Sequence, residues 1–300
     1  MQNRKKFCRL EGNTDLKTIL GIGTAGCNIV EQLGEFDVYR PLFISNEVKK
    51  TSKYKFALPT HPGPEEYESM DMSKLHKWLD KIDDQCTVFL CGASDTSAIT
   101  LRALEQLHNK SVKMDIVYFM PEVAVLSEVK LLHERSVMGI LQNFARSGLF
   151  EKICLVSNLR LEELAGPTNV FDYYKQINQV FTSSYYMLDV FKNTKPITST
   201  FKRPKESCRI TTMAIGSLEE EDKLFFPFKQ EVEVVCYYGI NEEKLKTEEN
   251  LFRTITDKVK SKITEERKVS FGIYPTQYEN DYIYAEYFSP KIQEIVIDTE

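Results

Sequence analysis

The feature that most restricts this chain is Gly21-Ile22-Gly23-Thr24-Ala25-Gly26-Cys27-Asn28, a tight glycine loop between the largely apolar run 16–20 and the helical stretch 29–33. A strand that runs into such a loop and then into a helix leaves backbone N–H groups facing open space, where a phosphate can accept them. Gly21 and Gly23 allow positive φ and close backbone approach, and Gly26 lets the new helix pack on the strand it came from. Cys27, at the helix N-terminus, reads either as a thiol of lowered pKa or as a small filler. Two kinds of nucleotide fold compete here. A dinucleotide fold wants an acid about twenty positions on, at the tip of the second strand, and Glu47 stands there after 41–46. The alternative is a fold whose second strand ends in a polar triplet, here Ser45-Asn46-Glu47.

The rest of the first half alternates strand and helix. The segment 48–67 is lysine-rich and then turn-rich, with Pro59, Pro62, Gly63 and Pro64 predicting a surface loop. A helix is predicted over 72–82, a doubly buried strand over 87–91, a turn over 92–98 and a helix over 99–107. The pattern repeats with strand 116–120, helix 127–147 and strand 153–156. Such alternation predicts a parallel sheet with helices on both faces, its ligand crevice outside the carboxyl ends of the strands. The turns at 21–28, 45–47, 92–98, 121–128 and 157–160 should therefore converge. A long helix over 171–192, apolar on more than one side, is expected to be central and buried. After residue 207 come strands 208–215, 232–238, 269–274 and 282–288 with helical 241–263, a smaller α+β unit.

Composition narrows the function classes. A net charge of −5 with both signs interspersed gives no basic stripe, so a nucleic-acid surface is not expected. Seven cysteines, Cys8, Cys27, Cys86, Cys91, Cys154, Cys208 and Cys236, stand singly without a metal-ligand spacing and read as reduced thiols. The stretch 1–10 is basic but no apolar core of signal-peptide length follows it, and no run approaches the length of a membrane span. A cytoplasmic protein without a membrane segment or metal site is expected. His76, His108 and His133 lie on helical stretches with no nucleophile pattern nearby, so no catalytic residue is assigned.

Read together, these features resemble the tubulin/FtsZ family over nearly the whole chain. The first glycine turn is similar to that family's first phosphate loop, and Ser45-Asn46-Glu47 stands where its N-T-D triplet would be. Ser157-Asn158 followed by Leu161 resembles the loop whose asparagine reads guanine. Tyr174 and Asn178, one turn apart on the long helix, match the stacking aromatic and the base-reading asparagine. Glu128, upstream of Gly139, matches the ribose-binding glutamate, and Phe271-Gly272-Ile273 with 282–288 resembles the last hairpin of the second domain. The resemblance implies an α/β fold: a parallel-sheet nucleotide-binding domain (1–170), a long central helix with its connecting loop (171–204), and a smaller α+β C-terminal domain (205–300). It implies GTP or GDP with Mg2+ as ligand, and head-to-tail self-association. The physics agrees, because an asparagine amide both donates and accepts, as the guanine edge requires, and residues i and i+4 share a helix face.

Two departures bear on activity. The family's G-G-G-T-G-[ST]-G loop is here Gly92-Ala93-Ser94-Asp95-Thr96-Ser97-Ala98, keeping only Gly92 and Ser97. Each lost glycine adds a Cβ where phosphate would approach, and a carboxylate at Asp95 about 5 Å from a phosphate charge costs roughly 3 kcal/mol at an effective dielectric near 20 unless a metal bridges them. The competing expectation is an ordinary cap, with Asp95 or Ser94 capping the next helix. If that loop is fully lost, no cofactor is expected. The second departure is in 198–204, where the family's acids in N-x-D-x-x-D are replaced: Thr200 is no general base, and Lys202 with Arg203 would bind phosphate rather than polarise water. The expectation is a cytoskeletal or scaffold protein with weak or no GTP hydrolysis. The alternatives are a non-polymerising pseudo-GTPase that binds other proteins and, least favoured, a dinucleotide oxidoreductase. For the filament reading, Lys202 and Arg203 should meet Asp95 and Glu47 of the next subunit.

Overall fold

A computed structural model describes residues 16–61, 64–92 and 94–295. The basic stretch 1–10 and Ala93 lie outside the described residues. The elements run β1 (Lys17–Ile22), α1 (Gly23–Leu33), β2 (Tyr39–Ser45), β3 (Lys55–Ala57), α2 (Pro64–Glu68), α3 (Ser73–Leu79), β4 (Gln85–Cys91), α4 (Ser97–Asn109), β5 (Lys113–Met120), α5 (Glu128–Ser147), β6 (Lys152–Ser157), α6 (Asn158–Ala165) and α7 (Tyr173–Lys192). The second half holds β7 (Thr198–Ser199), β8 (Ile210–Gly216), β9 (Lys223–Leu224), β10 (Glu233–Asn241), α8 (Glu242–Thr247), α9 (Leu251–Lys262), β11 (Lys268–Thr276) and β12 (Tyr282–Ser289). Among the described residues these strands join one sheet in the order β3-β2-β1-β4-β5-β6-β8-β12-β10-β11-β7, with β9 on β8.

The first half of that order, from β3 to β6, is parallel throughout, as alternating strand and helix predicts. Its strands are apolar on both faces because both faces are covered. Leu20 and Ile22 of β1, with Val88 and Leu90 of β4, pack under α3, α4 and α5, whereas Ile19 and Phe89 point the other way beneath α1 and α7. A third apolar cluster joins Leu251, Ile255 and Val259 of α9 to the β10–β12 strands. No helix among the described residues is long and apolar enough to cross a membrane.

Three expectations need correction. The loop expected over 48–67 holds regular structure among its described residues, β3 and the start of α2, while Pro62 and Gly63 lie outside the described residues. Strand β3 is held by pairing with β2, Phe43 opposite Lys55, and by Trp78, whose indole donates to Ser52 O at 2.8 Å. Residues 158–160 are the first turn of α6. And β11 with β12 is no hairpin, because β10 lies between them, parallel to β11 and antiparallel to β12.

The parallel and mixed halves meet at β6 and β8 through a short register, Ile153 opposite Ile210 and Cys154 opposite Thr211. Side-chain hydroxyls extend it: Thr211 donates to Ile153 O at 3.2 Å and Thr212 to Leu155 O at 2.8 Å. Across the same junction the buried carboxylate of Glu286 (β12) takes Lys152 of β6 at 2.9 Å and Lys192, the last residue of α7, at 2.6 Å. Burial opposes a charge on Glu286, but the two ammonium groups outweigh it and hold the carboxyl down at about 2. The lysines diverge. Burial draws both down, yet Lys152, with Asp115 as well as Glu286 beside it, ends well above its ordinary range, while Lys192 ends below it.

Glu286→Gln removes the shared counter-charge from two desolvated lysines, and we expect it to lower the unfolding free energy at neutral pH by about 3–5 kcal/mol in urea melts. A carboxyl held at about 2 against an ordinary 4.5 stabilises the fold fully above the ordinary value and loses that contribution as pH falls toward 2. The wild type should therefore lose more stability over that acid range than the variant does; parallel pH curves would contradict the clamp.

Candidate functional site

The first glycine turn is tighter than an eight-residue loop. β1 continues to Ile22, and α1 begins at once at Gly23, whose φ of 73° is in the left-handed region. A Cβ at Gly21 would come within 2.6 Å of Gly26 O, so the turn closes on itself. Gly26 lies against Gly21 of β1 and also packs α1 on β4, where a methyl would overlap the Phe89 carbonyl. Ile22 offers no capping side chain and the first turn of α1 holds no acid, so its leading N–H groups have no side-chain acceptor. Cys27 donates to the carbonyls of Gly21 at 3.4 Å and Ile44 at 3.6 Å, and burial pushes its thiol up to about 12, which makes it a filler.

Several of the predicted turns do converge. Thr24 donates to Glu47 at 2.8 Å, joining α1 to the residues after β2, while Asn46 and Asn28 lie in the same two segments. A Cβ on Gly23 would stand 3.0 Å from Thr96 Oγ1 and 3.3 Å from Ser94 Oγ, so the second turn lies directly against the first. Asp95 reaches Lys130 on α5 at 3.8 Å, an exposed pair of small energetic weight.

The second turn is built for packing. A methyl on Gly92 would overlap the Tyr118 hydroxyl and the Glu134 carboxylate, and Tyr118 donates to Glu134 inside the protein. The glycine is thus explained by a buried tyrosine. Ser97 is buried, and its hydroxyl is engaged by His133 Nε2 at 2.8 Å. Burial lowers the His133 pKa, offset in part by Asp95. This pairing was missed in sequence because the partners lie on different helices, and it corrects the expectation that no nucleophile pattern stands near His133. The capping expectation fails too: the residue before α4 is Thr96, which caps with no side chain, while Ser94 and Thr96 share a 2.8 Å hydroxyl contact. Ala93 lies outside the described residues.

The base-reading candidates form a separate group. Asn158 opens α6 and is half-buried, Tyr174 is 67% exposed with its ring edge against Tyr173, and Asn178 is half-buried on α7. Glu128 is exposed as the first residue of α5, whose cap is Ser127. Among the described residues, no hydrogen bond joins these side chains to the glycine turns, and the amides of Asn158 and Asn178 have no partner in the protein. The bridge between the two groups is helical. Gln32 of α1 donates to Lys175 O at 3.4 Å and accepts from Thr182 at 3.2 Å, and Tyr173 holds Glu162 of α6 at 2.6 Å.

Residues 198–204 lie beyond the far end of α7. Thr200 is a sheet-edge residue: its hydroxyl accepts Phe271 N–H at 3.1 Å and its own N–H donates to Phe271 O at 2.8 Å. Lys202 and Arg203 are exposed and, among the described residues, make no ion pair.

The arrangement fits a nucleotide in part. The open N-terminus of α1 suits an anion, and the unpaired amides of Asn158 and Asn178 beside exposed Tyr174 suit a base. The second turn does not fit. Its serine is held by a histidine, its glycine faces a tyrosine, and Asp95 and Glu47 add negative charge, so no phosphate wrap is supplied there and no chemical step is derived through one.

No family model matches the chain, and no curated protein matches it by sequence. Solved structures do match. FtsZ from M. jannaschii, described as an empty dimer, superposes with a TM-score of 0.66 at 12% identity, covering 93% of this chain and 90% of that one. TubZ from Bacillus thuringiensis serovar israelensis, as a GTPγS-form protofilament, gives 0.69 at 10% identity over 91% and 86%. CetZ2 from Haloferax volcanii, a GTPγS-bound protofilament, gives 0.68 at 10% identity over 91% and 92%. The chain therefore has the tubulin/FtsZ-like fold, a mixed parallel and antiparallel sheet flanked by helices.

If Gly92 serves packing, Gly92→Ala should destabilise by about 1–3 kcal/mol through overpacking against Tyr118. Gly139→Ala on α5, where a methyl meets nothing within 4 Å, should instead stabilise by about 0.5–1 kcal/mol. Denaturant melts of the two variants, moving in opposite directions, are the check.

Proposed function

We propose that this chain is a cytoskeletal or scaffold subunit that associates head to tail with copies of itself, holds guanine nucleotide weakly, and hydrolyses little or none of it. The observation that carries this reading is the apolar surface at the crevice end: Val125, Val129, Leu132, Val170 and Phe171 stand largely exposed around the start of α5 and the approach to α7. Clusters of large exposed apolar side chains mark association surfaces. At the other end, Lys202 and Arg203 make no ion pair among the described residues, while Glu47 and Asp95 line the crevice. Complementary unlike ends give a heterologous, head-to-tail contact. We assign 1–170 to the nucleotide-facing unit, 171–204 to the central helix and its loop, and 205–300 to the second unit, in a cytoplasmic protein. Weak hydrolysis follows from residues 198–204, which hold no carboxylate to position water.

A second reading, a pseudo-GTPase that binds other proteins without polymerising, is favoured by Ser97 and Gly92 being taken up in packing. Sedimentation separates the two. The filament reading expects a pellet at low salt that shrinks on raising ionic strength and on Arg203→Glu; a protein that stays in the supernatant under every nucleotide and salt condition supports the second. Nucleotide released on denaturing the purified protein should be GDP or GTP, and Asn178→Ala should cut its recovery by about ten-fold or more, the value of a lost base hydrogen bond. Equal recovery from both would remove Asn178 from the site.

A further inference from the structure

Away from the crevice, the end of α7, residues 194–204 and strands β10–β12 enclose a cavity of about 510 Å³ that shares Lys152, Lys192 and Glu286 with a larger one of about 840 Å³. The larger cavity is close to balanced in charge, with Lys17, Arg40 and the shared lysines facing Asp83, Asp84, Asp115, Asp189 and Glu286. The smaller is not. Its walls carry Lys152, Lys192, Lys202 and Arg203 against Glu286 alone. Asp115 acts on both buried lysines and Lys192 pairs with Glu286 at 2.6 Å, so the cations left without an ion pair among the described residues on this wall are Lys202 and Arg203. Burial draws the Lys192 pKa down, opposed by Glu286 and helped by Lys152.

The remaining wall is aromatic. Phe201 lies 5.2 Å from Tyr237, and Tyr237 is near-parallel to Tyr274 at 6.2 Å. Burial pushes the Tyr274 hydroxyl up to about 12 and Tyr237 further in the same direction, so both rings stay neutral at physiological pH and add no competing charge. A low-dielectric wall beside unpaired cations favours an anion, and flat rings favour a planar body.

We propose that this cavity binds a small planar organic anion, an aromatic ring bearing one phosphate or carboxylate, with Lys192, Lys202 and Arg203 meeting the charge and Phe201 with Tyr237 meeting the ring. The site is independent of the glycine turns. It lies where β6 begins and α7 ends, whereas the crevice lies where β1, β2 and β4 end. Occupancy would tie residues 201–204 to the body of the sheet.

The test is calorimetric titration of the full chain with 1-naphthyl phosphate, 1-naphthol and inorganic phosphate as separate probes. 1-Naphthyl phosphate should bind at least about ten-fold tighter than either half-ligand, and weaken several-fold between about 50 and 500 mM salt. The double variant Lys202→Glu, Arg203→Glu, at exposed positions that leave the melt unchanged, should lose about ten-fold or more in affinity, as should Phe201→Ala. Asn178→Ala, in the crevice, should leave this binding intact even where it abolishes guanine nucleotide. Unchanged binding in the double variant, loss in Asn178→Ala, equal affinity for inorganic phosphate, or no heat at millimolar probe would each overturn the assignment.

Discussion

One buried carboxylate, Glu286, ties both halves of this sheet to the long helix. Between β6 and β8 the backbone ladder is short, and threonine hydroxyls do part of what a longer ladder would do. Glu286 closes the gap by holding Lys152 from the parallel half and Lys192 from the long helix. An ion pair taken out of water stabilises only when its geometry is good and its charges are matched, and removing one partner strands the other. Here one acid serves two bases, so strand, helix and second half depend on the same group.

That constraint fixes the long helix at its lower end, and two further contacts fix its path. Asp189 accepts from Lys17 at the start of β1 and from Tyr39 at 3.0 Å at the start of β2. One turn away from Lys192, the helix is thus tied to the amino ends of the parallel strands. At its upper end Tyr173 bonds Glu162 on α6. Helix α7 therefore spans the sheet under restraint at both ends, and the positions of Tyr174 and Asn178 follow largely from contacts made by their neighbours on the helix. A side chain meant for a ligand is better placed by its neighbours than by its own contacts.

Periodicity made the larger elements legible. Strands β1, β4, β5 and β6 show continuous apolar runs because both faces are covered, and α4, α5 and α7 repeat their apolar residues at helical spacing. What escaped was set by distant partners. Three-residue β3 has no pattern of its own and exists because Phe43 and Trp78 hold it. Gly92 reads as a phosphate-loop glycine until Tyr118 and Glu134 are seen against it, and the engagement of Ser97 by His133 spans two helices. The fold is shared with structures in which about one residue in ten is identical, because it needs only apolar faces and turns, whereas a phosphate loop needs particular atoms left uncovered.

The two departures of the chain reinforce each other physically. A turn that packs a tyrosine where a phosphate would approach, with Asp95 and Glu47 nearby, has little surplus positive potential to hold a triphosphate, so a water-positioning acid across a subunit joint would have little to act on. Residues 198–204 hold no carboxylate and carry Lys202 and Arg203. These cations would repel nothing in a neighbour whose crevice rim is acidic, and screening by salt would act on such a contact directly. If copies of the chain meet head to tail as proposed, the contact at residues 198–204 would be electrostatic, and the same Lys202 and Arg203 stand on the wall of the aromatic cavity behind them.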